Sequence, residues 1–517
     1  MLDALLFRTG TIGPFNDWRR GTSATRKVGG VMEVREQAAA AVGLDDLGAA
    51  APHGGAAKLP RRVAVGWGAG EWAGSIPYAL FSTFFLFFMT NVVGVGAATA
   101  GTIVLIVTLF SGVVTLPIGV WTDGVKWKWG RRRPFLLIAA APLATTVWLM
   151  FTDWGLGSSA TFIYFTSLGC LWALFYSMQA VPLTALAAEM TQDYDERSRL
   201  VSYRSAWSQA AYIAASVAAL PLAAWFASLL GSDAWGWSAM AGVLAATCLP
   251  AMLWAWRATR GRELYPENTG LGLRDLWRAT AHNRSFLFVA ATFMGVYTAG
   301  GIAYAIVVYF MSYQMGLGDN QMALAFLVVN VIGLLAIPFV ERLAMRVGKR
   351  AGLLITELVG AAGFLGYLAC DPSRMWLFWV LQGVWGASIA GAIIFTWAAI
   401  PDVTEVDEYK SGQRREGLFY SVATLMLTVA TALAVWLVGV ILGAAGYDPD
   451  AVTLSSSAMW AIRLIMAIGP AALCLFAGLM AILQPMTRAK HAALTDALRR
   501  KKAGESEIDE TAFADLL

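Results

Sequence analysis

Residues 123–134, Asp-Gly-Val-Lys-Trp-Lys-Trp-Gly-Arg-Arg-Arg-Pro, constrain this chain more than any other stretch. Five cations, Lys126, Lys128, Arg131, Arg132 and Arg133, stand between two apolar runs at 97–121 and 135–154. Each cation costs about 2.5–3.5 kcal/mol at the centre of a membrane helix, while the flanking runs gain nothing from water. The loop therefore belongs at a membrane surface, and the retention of Lys and Arg on the cytoplasmic side predicts which surface. Once this loop is placed, the direction of every other segment follows by alternation.

The rest of the chain supports a membrane reading. Of its 517 residues, 58% are hydrophobic and only 14% charged, against about a quarter charged in soluble domains. Apolar segments recur at 66–89, 97–121, 134–154, 161–188, 203–230, 236–256, 285–312, 321–341, 351–370, 374–400, 417–445 and 458–484. Each has the roughly 20 residues that cross about 30 Å of hydrocarbon as a helix. A barrel would instead show alternating segments of about ten residues. The expected fold is an all-α membrane protein with twelve transmembrane helices.

Charge separates cleanly along these segments. Even-numbered loops hold Arg131–133, then Arg197, Arg199 and Arg204, then six arginines from Arg257 to Arg284, then Arg342, Arg346, Lys349 and Arg350, then Lys410, Arg414 and Arg415. Odd-numbered loops hold Asp153, Asp233, Asp319, Asp371, Asp448 and Asp450, with Arg374 their one cation. Both termini are expected on the cytoplasmic side of a multi-pass protein of the inner membrane. The net charge of +4 sits in loops and tails, so it argues for topology and against nucleic-acid binding.

The loop 257–284 divides the chain into six segments and six. Expected units are a poorly ordered cytoplasmic extension (1–62), a first six-helix bundle (63–256), this central loop, a second bundle (285–484) and a cytoplasmic tail (485–517). The halves echo one another. Asp123, six residues and Gly130-Arg131-Arg132 recur as Glu341, six residues and Gly348-Lys349-Arg350. After the fourth segment of each half, Glu189-Met190-Thr191 recurs as Asp402-Val403-Thr404. Paired six-helix repeats are the signature of transporters that rock around a central site. Asp123, Arg131, Arg132, Glu189, Arg197, Glu341, Lys349, Asp402 and Arg415 are therefore gating candidates, in pairs expected to favour a state whose halves meet on the cytoplasmic side.

The acid-x6-Gly-basic-basic pattern resembles the loop signature of the major facilitator superfamily. Val181-Pro182-Leu183-Thr184 through Glu189, then Asp193-Tyr194-Asp195-Glu196-Arg197, are similar to the glycoside–pentoside–hexuronide:cation symporters, the melibiose-carrier-like branch. Trp129-Gly130-Arg131-Arg132-Arg133-Pro134-Phe135 resembles the same family, as do Asp402 through Lys410, Gly412 and Arg414-Arg415-Glu416-Gly417. The resemblance implies two six-helix bundles related by pseudo-twofold symmetry and secondary transport of a sugar or glycoside by alternating access.

The chain departs from that family where its cation site would be. The two helix-II aspartates of melibiose carriers correspond to Ser111 and Thr115, the helix-IV carboxylate to Ala180, and the helix-XI lysine to Thr428. Hydroxyls ligate an alkali ion without neutralising it, so Na⁺ would lose its main compensation. Coupling to H⁺, or facilitated transport, is expected instead. Ionisable groups inside spans are functional candidates by default, which selects Glu71 and Glu357 for coupling beside Ser111 and Thr115, with Arg463 as a further one.

Sugars are held by hydrogen bonds and by stacking on aromatic rings. Substrate-binding candidates are Glu71, Tyr78, Gln179, Arg204, Trp207, Gln209, Tyr297, Tyr304, Asn330, Gln382 and Trp397, each with helix packing as the alternative role. Arg204 falls about where the family has an arginine near its substrate, with Ser205 competing for the position. The four cysteines are widely spaced, and the three histidines lie in tails or the central loop. No cofactor, metal site, ATP-binding loop or catalytic constellation stands out. The expected protein is a monomeric transporter and not an enzyme. A carrier of another amphiphile such as a lysophospholipid, or a transporter-like sensor, are the alternatives.

Overall fold

The computed structural model describes residues 59–517 apart from 126, 128–129, 192–193, 263–282, 413–415, 450, 452, 504, 506–508, 514–515 and 517. Almost all of the N-terminal extension, most of the central loop and Arg415 therefore lie outside the described residues, as does the side chain of Asp123. Among the described residues, eleven helices are long and apolar enough to cross a membrane.

The first seven are α1 (Arg61–Asn91), α2 (Ala97–Gly124), α3 (Arg133–Met150), α4 (Ser158–Met190), α5 (Tyr194–Leu230), α6 (Asp233–Ala258) and α7 (Arg284–Gln314). The next, Asp319–Gly366, runs for 48 residues. At about 1.5 Å per residue it is more than twice the thickness of a hydrocarbon core of about 30 Å. It breaks at Gly348, where φ is 82° and ψ is 166°. The parts on either side, 319–347 (α8) and 349–366 (α9), are each of membrane length. Then come α10 (Met375–Ser411), α11 (Glu416–Ala444) and α12 (Ser456–Leu483). The twelve apolar segments thus appear as eleven helices, one of which carries two crossings. Gly130, the counterpart of Gly348 in the first half, also has positive φ, at 104°. Both loops need a residue without Cβ at that turn.

Among the described residues, the first six helices meet the second six most extensively at α1 with α7, α2 with α11, and α5 with α8. Replacing each helix by its counterpart six positions on exchanges the last two pairs and returns the first. That is the contact pattern of two bundles related by a pseudo-twofold. Glycines set the closest of these approaches. A Cβ on Gly439 of α11 would lie 2.5 Å from Ala97 O and 2.9 Å from Gly101 Cα, both on α2.

Within α1 the chain breaks at Gly70–Glu71, and a π-helical turn at Phe81–Phe85 follows Pro77. Gly74 N–H bonds to Glu71 O rather than one residue further back, which frees Gly70 O. Gln179 Nε2 on α4 donates to that carbonyl at 2.9 Å. In hydrocarbon a freed backbone group must find such a partner.

Within the tail that follows the last span, Arg488–Lys502 forms α13, which lies on the C-terminal end of α10. Leu494, Ala497 and Leu498, three and four residues apart, bury with Val406 and Tyr409 of α10 and with Phe513 and Leu516 beyond the helix.

Candidate functional site

A cavity of about 800 Å³ lies between the two halves. Helices from both sides build its wall: α1 brings Tyr78 and Ser82, α4 brings Trp172 and Tyr176, and α5 brings Gln209 and Tyr212. From the second half come Tyr297 and Tyr304 on α7, Asn330 on α8, Glu357 on α9, Trp385 and Ser388 on α10, and Tyr420, Thr424 and Thr428 on α11. Aromatic rings share this wall with aliphatic side chains such as Leu86, Val104, Val296, Ile389 and Leu425. Tyr304 packs against Trp385 with centroids 5.1 Å apart and edge-on to Tyr212 at 5.6 Å, and Tyr78 stacks on Tyr176 at 6.4 Å. Gln209 Nε2 donates to Asn330 Oδ1 at 3.1 Å, one polar bond from half to half.

Of the residues selected from sequence, Tyr78, Gln209, Tyr297, Tyr304, Asn330, Glu357, Ser111 and Thr115 line this cavity. Ala180, Thr428, Gly300 and Gly301 line it as well. Thr115 Oγ1 lies 3.0 Å from Ser177 Oγ and donates to Ser111 O at 2.7 Å, so hydroxyls occupy the place of the family's aspartates. Glu357 is 1% exposed and, among the described residues, is the one Asp, Glu, Lys, Arg or His along the wall.

Others stand elsewhere. Glu71 is not in the wall; its Oε2 accepts from Arg204 Nε at 2.6 Å, tying α1 to α5. Gln179 is spent on Gly70 O. Trp207 packs edge-on between Trp72 and Trp254, with centroids 5.9 and 5.8 Å away. Gln382 is buried, with its Oε1 3.4 Å from Tyr367 Oη. Trp397 sits just behind the wall, where its Nε1 donates to Tyr297 Oη and its ring stacks on Tyr420. Arg463 donates to Gln314 Oε1 and Cys370 O, a packing role at the end of α12. Sequence reasoning passed over Trp172, Tyr176, Tyr212, Trp385 and Tyr420. One signal was available: Tyr176 lies four residues after Trp172, and Tyr212 three after Gln209, spacings that share a helix face.

Two ion pairs repeat across the halves. Glu189 at the end of α4 holds Arg132 at 3.0 Å and Arg131 at 3.6 Å. In the second half Asp402 of α10 holds Lys349 at 2.9 Å. Each pair ties the loop after a half's second helix to that same half. They brace each bundle, because the acid and the cations come from neighbouring helices of one repeat. Arg197 and Glu341 are exposed and form no ion pair among the described residues.

The described hydrogen bonds between halves lie at mid-depth or at the face opposite the basic loops. There Thr90 pairs with Tyr309 at 2.7 Å, Asn91 Nδ2 donates to Tyr313 Oη at 2.5 Å, and Tyr447 Oη donates to Asn91 Oδ1 at 2.8 Å. This cluster fastens the two halves to each other on that side.

Asp402 has a second partner in α13. His491 Nε2 lies 3.2 Å from Glu405 and 3.6 Å from Asp402. The Glu405 hydrogen bond raises the imidazole pKa; partial burial and Lys349 oppose it, and the charges of Asp402 and Glu405 add to it. The imidazolium is thus the form that holds α13. Its contribution is complete below the ordinary imidazole value near 6.5 and fades as pH rises through the raised one. Half-exposed pairs of this kind contribute about 1 kcal/mol at most. Hydrogen exchange in α13, corrected for intrinsic rates, is expected to speed up several-fold between pH 6 and pH 9, and His491→Gln to flatten that profile. An unchanged profile in the variant would assign the docking to the apolar contacts and to the Lys501, Lys502 and Thr495 bonds to α10.

A family model described as MFS/sugar transport protein matches residues 66–488. The glucuronide carrier protein homolog of Escherichia coli is 28% identical over 87% of this chain and 98% of its own length. An uncharacterized symporter of Synechocystis sp. is 28% identical over 86% and 98%, and a putative sulfoquinovose importer of Escherichia coli 25% over 88% and 97%. Among solved structures, the nucleoside transporter NupG superposes with a TM-score of 0.58 at 13% identity, covering 82% of this chain and all of that one. A bacterial homolog of the lysosomal transporter Spinster, inward-facing and occupied, gives 0.57 at 15% identity, covering 83% and 97%.

Proposed function

The chain belongs to the MFS/sugar transport protein family, and on that premise we propose that it moves a sugar or glycoside across the membrane by alternating access, coupled to protons through Glu357. The observation that carries this reading is the cavity between the two halves, whose largely apolar described wall combines aromatic rings with hydroxyls, amides and one carboxyl group. Rings stack on the apolar faces of sugars and hydroxyls meet their edges. The names of the glucuronide carrier homolog and the putative sulfoquinovose importer point to the same substrate chemistry.

The basic loops face the cytoplasm by the positive-inside rule, which puts both termini there and the protein in the inner membrane. The cluster at Thr90, Asn91 and Tyr447 then lies outside, and the structure is the state facing the cytoplasm. Ser111, Thr115 and Ala180 supply no negative charge for Na⁺, whereas Glu357 can carry a proton between the two sides.

The test is uptake in right-side-out vesicles over a panel of glycosides and lysophospholipids, with pH and Na⁺ gradients imposed separately. Glycoside accumulation driven by the pH gradient is the expected result. Accumulation driven by Na⁺ alone would remove the proton reading, and transport of lysophospholipids without glycosides would remove the sugar reading.

A further inference from the structure

Three buried polar atoms of the cavity wall have no hydrogen-bond partner among the described residues: Trp172 Nε1, Trp385 Nε1 and Glu357 Oε1. Both tryptophans are 3% exposed. Native proteins rarely leave such groups unmatched, and each unmet one costs about 1–3 kcal/mol. The two indoles are also counterparts in the internal repeat. Trp172 stands 17 residues before Glu189 on α4, and Trp385 stands 17 residues before Asp402 on α10. The repeat therefore places two indoles with unmatched N–H groups in opposite halves, and both side chains, like that of Glu357, line one cavity.

From this we infer that the substrate is an uncharged carbohydrate, gripped between the N–H groups of Trp172 and Trp385 with a hydroxyl on Glu357, and that acid sugars are rejected. The inference rests on the sugar-transport reading and narrows it. Indole donates only, so it needs oxygen acceptors on the ligand. Sugar hydroxyls and ring oxygens provide them on both sides of a ring, and a hydroxyl also serves Glu357 as donor. A uronate or sulfonate brings a negative charge into a cavity whose described wall holds no Lys, Arg or His. Arg204, on the α5 helix that also lines the cavity, is already committed to Glu71 at 2.6 Å. An anion would thus be buried without a counter-charge and beside a carboxyl group, an arrangement that costs heavily.

The experiment measures binding to the full chain in detergent, by thermal shift and tryptophan fluorescence, with matched pairs. Methyl β-glucoside is set against methyl β-glucuronide, and methyl β-galactoside against methyl β-galacturonide. Each pair differs only in CH₂OH against COO⁻. The neutral member should bind about 100-fold tighter, the effect of two like charges about 6 Å apart at an effective dielectric of about 20. Trp172→Phe and Trp385→Phe keep an aromatic ring and lose the N–H, so each should weaken the neutral sugar about 5- to 10-fold without lowering the melting of the unliganded protein. Equal or tighter binding of the uronides would overturn the charge selection while leaving sugar transport standing. Wild-type affinity in both Phe variants would overturn the indole grip. If no sugar of either kind binds and a lysophospholipid does, the functional reading fails first and this one with it.

Discussion

Glu357→Gln should abolish uphill accumulation driven by a pH gradient while leaving substrate exchange down its own gradient. Glutamine keeps the shape of the side chain and one carbonyl oxygen but has no proton to release. With one proton per substrate, each pH unit is worth about 1.4 kcal/mol, or a tenfold accumulation. In the variant that ratio should fall to one. The expectation is confined to Glu357 because every other described wall residue is neutral at ordinary pH. Glu71, the other acid in a span, serves as a control. It is ion-paired with Arg204 outside the cavity, so Glu71→Gln should disturb packing between α1 and α5 without uncoupling transport. Accumulation that survives Glu357→Gln, or disappears only with Glu71→Gln, would move the proton site to the first half.

The second large effect concerns the approach of α2 to α11. A Cβ at residue 439 would meet Ala97 O at 2.5 Å and Gly101 N at 3.2 Å. These are backbone atoms and cannot rotate away. Gly439→Val should therefore disfavour the state described here by about 1–3 kcal/mol, roughly 5- to 150-fold in population. Loss of the helical glycine does not weaken α11 itself, since glycine is the poorer helix former. Transport should fall at least tenfold with little change in melting temperature. Spin labels at Thr99 and Gln321, exposed near the fastened face on opposite halves, should report a longer mean distance in the variant. An unchanged distance together with normal transport would mean that the two helices need not touch during the cycle.

Much of the fold was legible because membrane helices announce themselves by length and by the sign of the loops between them. The boundary at Gly348 was harder. Helical backbone continues on both sides of it, so two apolar segments appear in the structure as one bent helix. At the site, the rule that polar groups inside spans are functional found Glu357, Gln209 and Asn330. It also selected Gln179, because sequence does not reveal that α1 breaks at Gly70 and leaves a carbonyl in need of a donor. Trp172 and Trp385 escaped notice for the opposite reason. An indole in a span reads as packing, and only the repeat, taken residue by residue, shows that the two stand at equivalent places. The α13 helix was legible in principle from Leu494, Ala497 and Leu498. Its six cations and its position after the last span made it read as a cytoplasmic tail.

The cluster of Thr90, Asn91, Tyr309, Tyr313 and Tyr447 is built from hydroxyl and amide groups that carry no formal charge. Parting such groups demands no rehydration of ions, and water can take up each donor and acceptor as it is released. A latch of this kind opens and shuts on thermal agitation alone, so the rhythm of the cycle is left to whatever occupies the chamber behind it, and dissolved salt has little hold on that door.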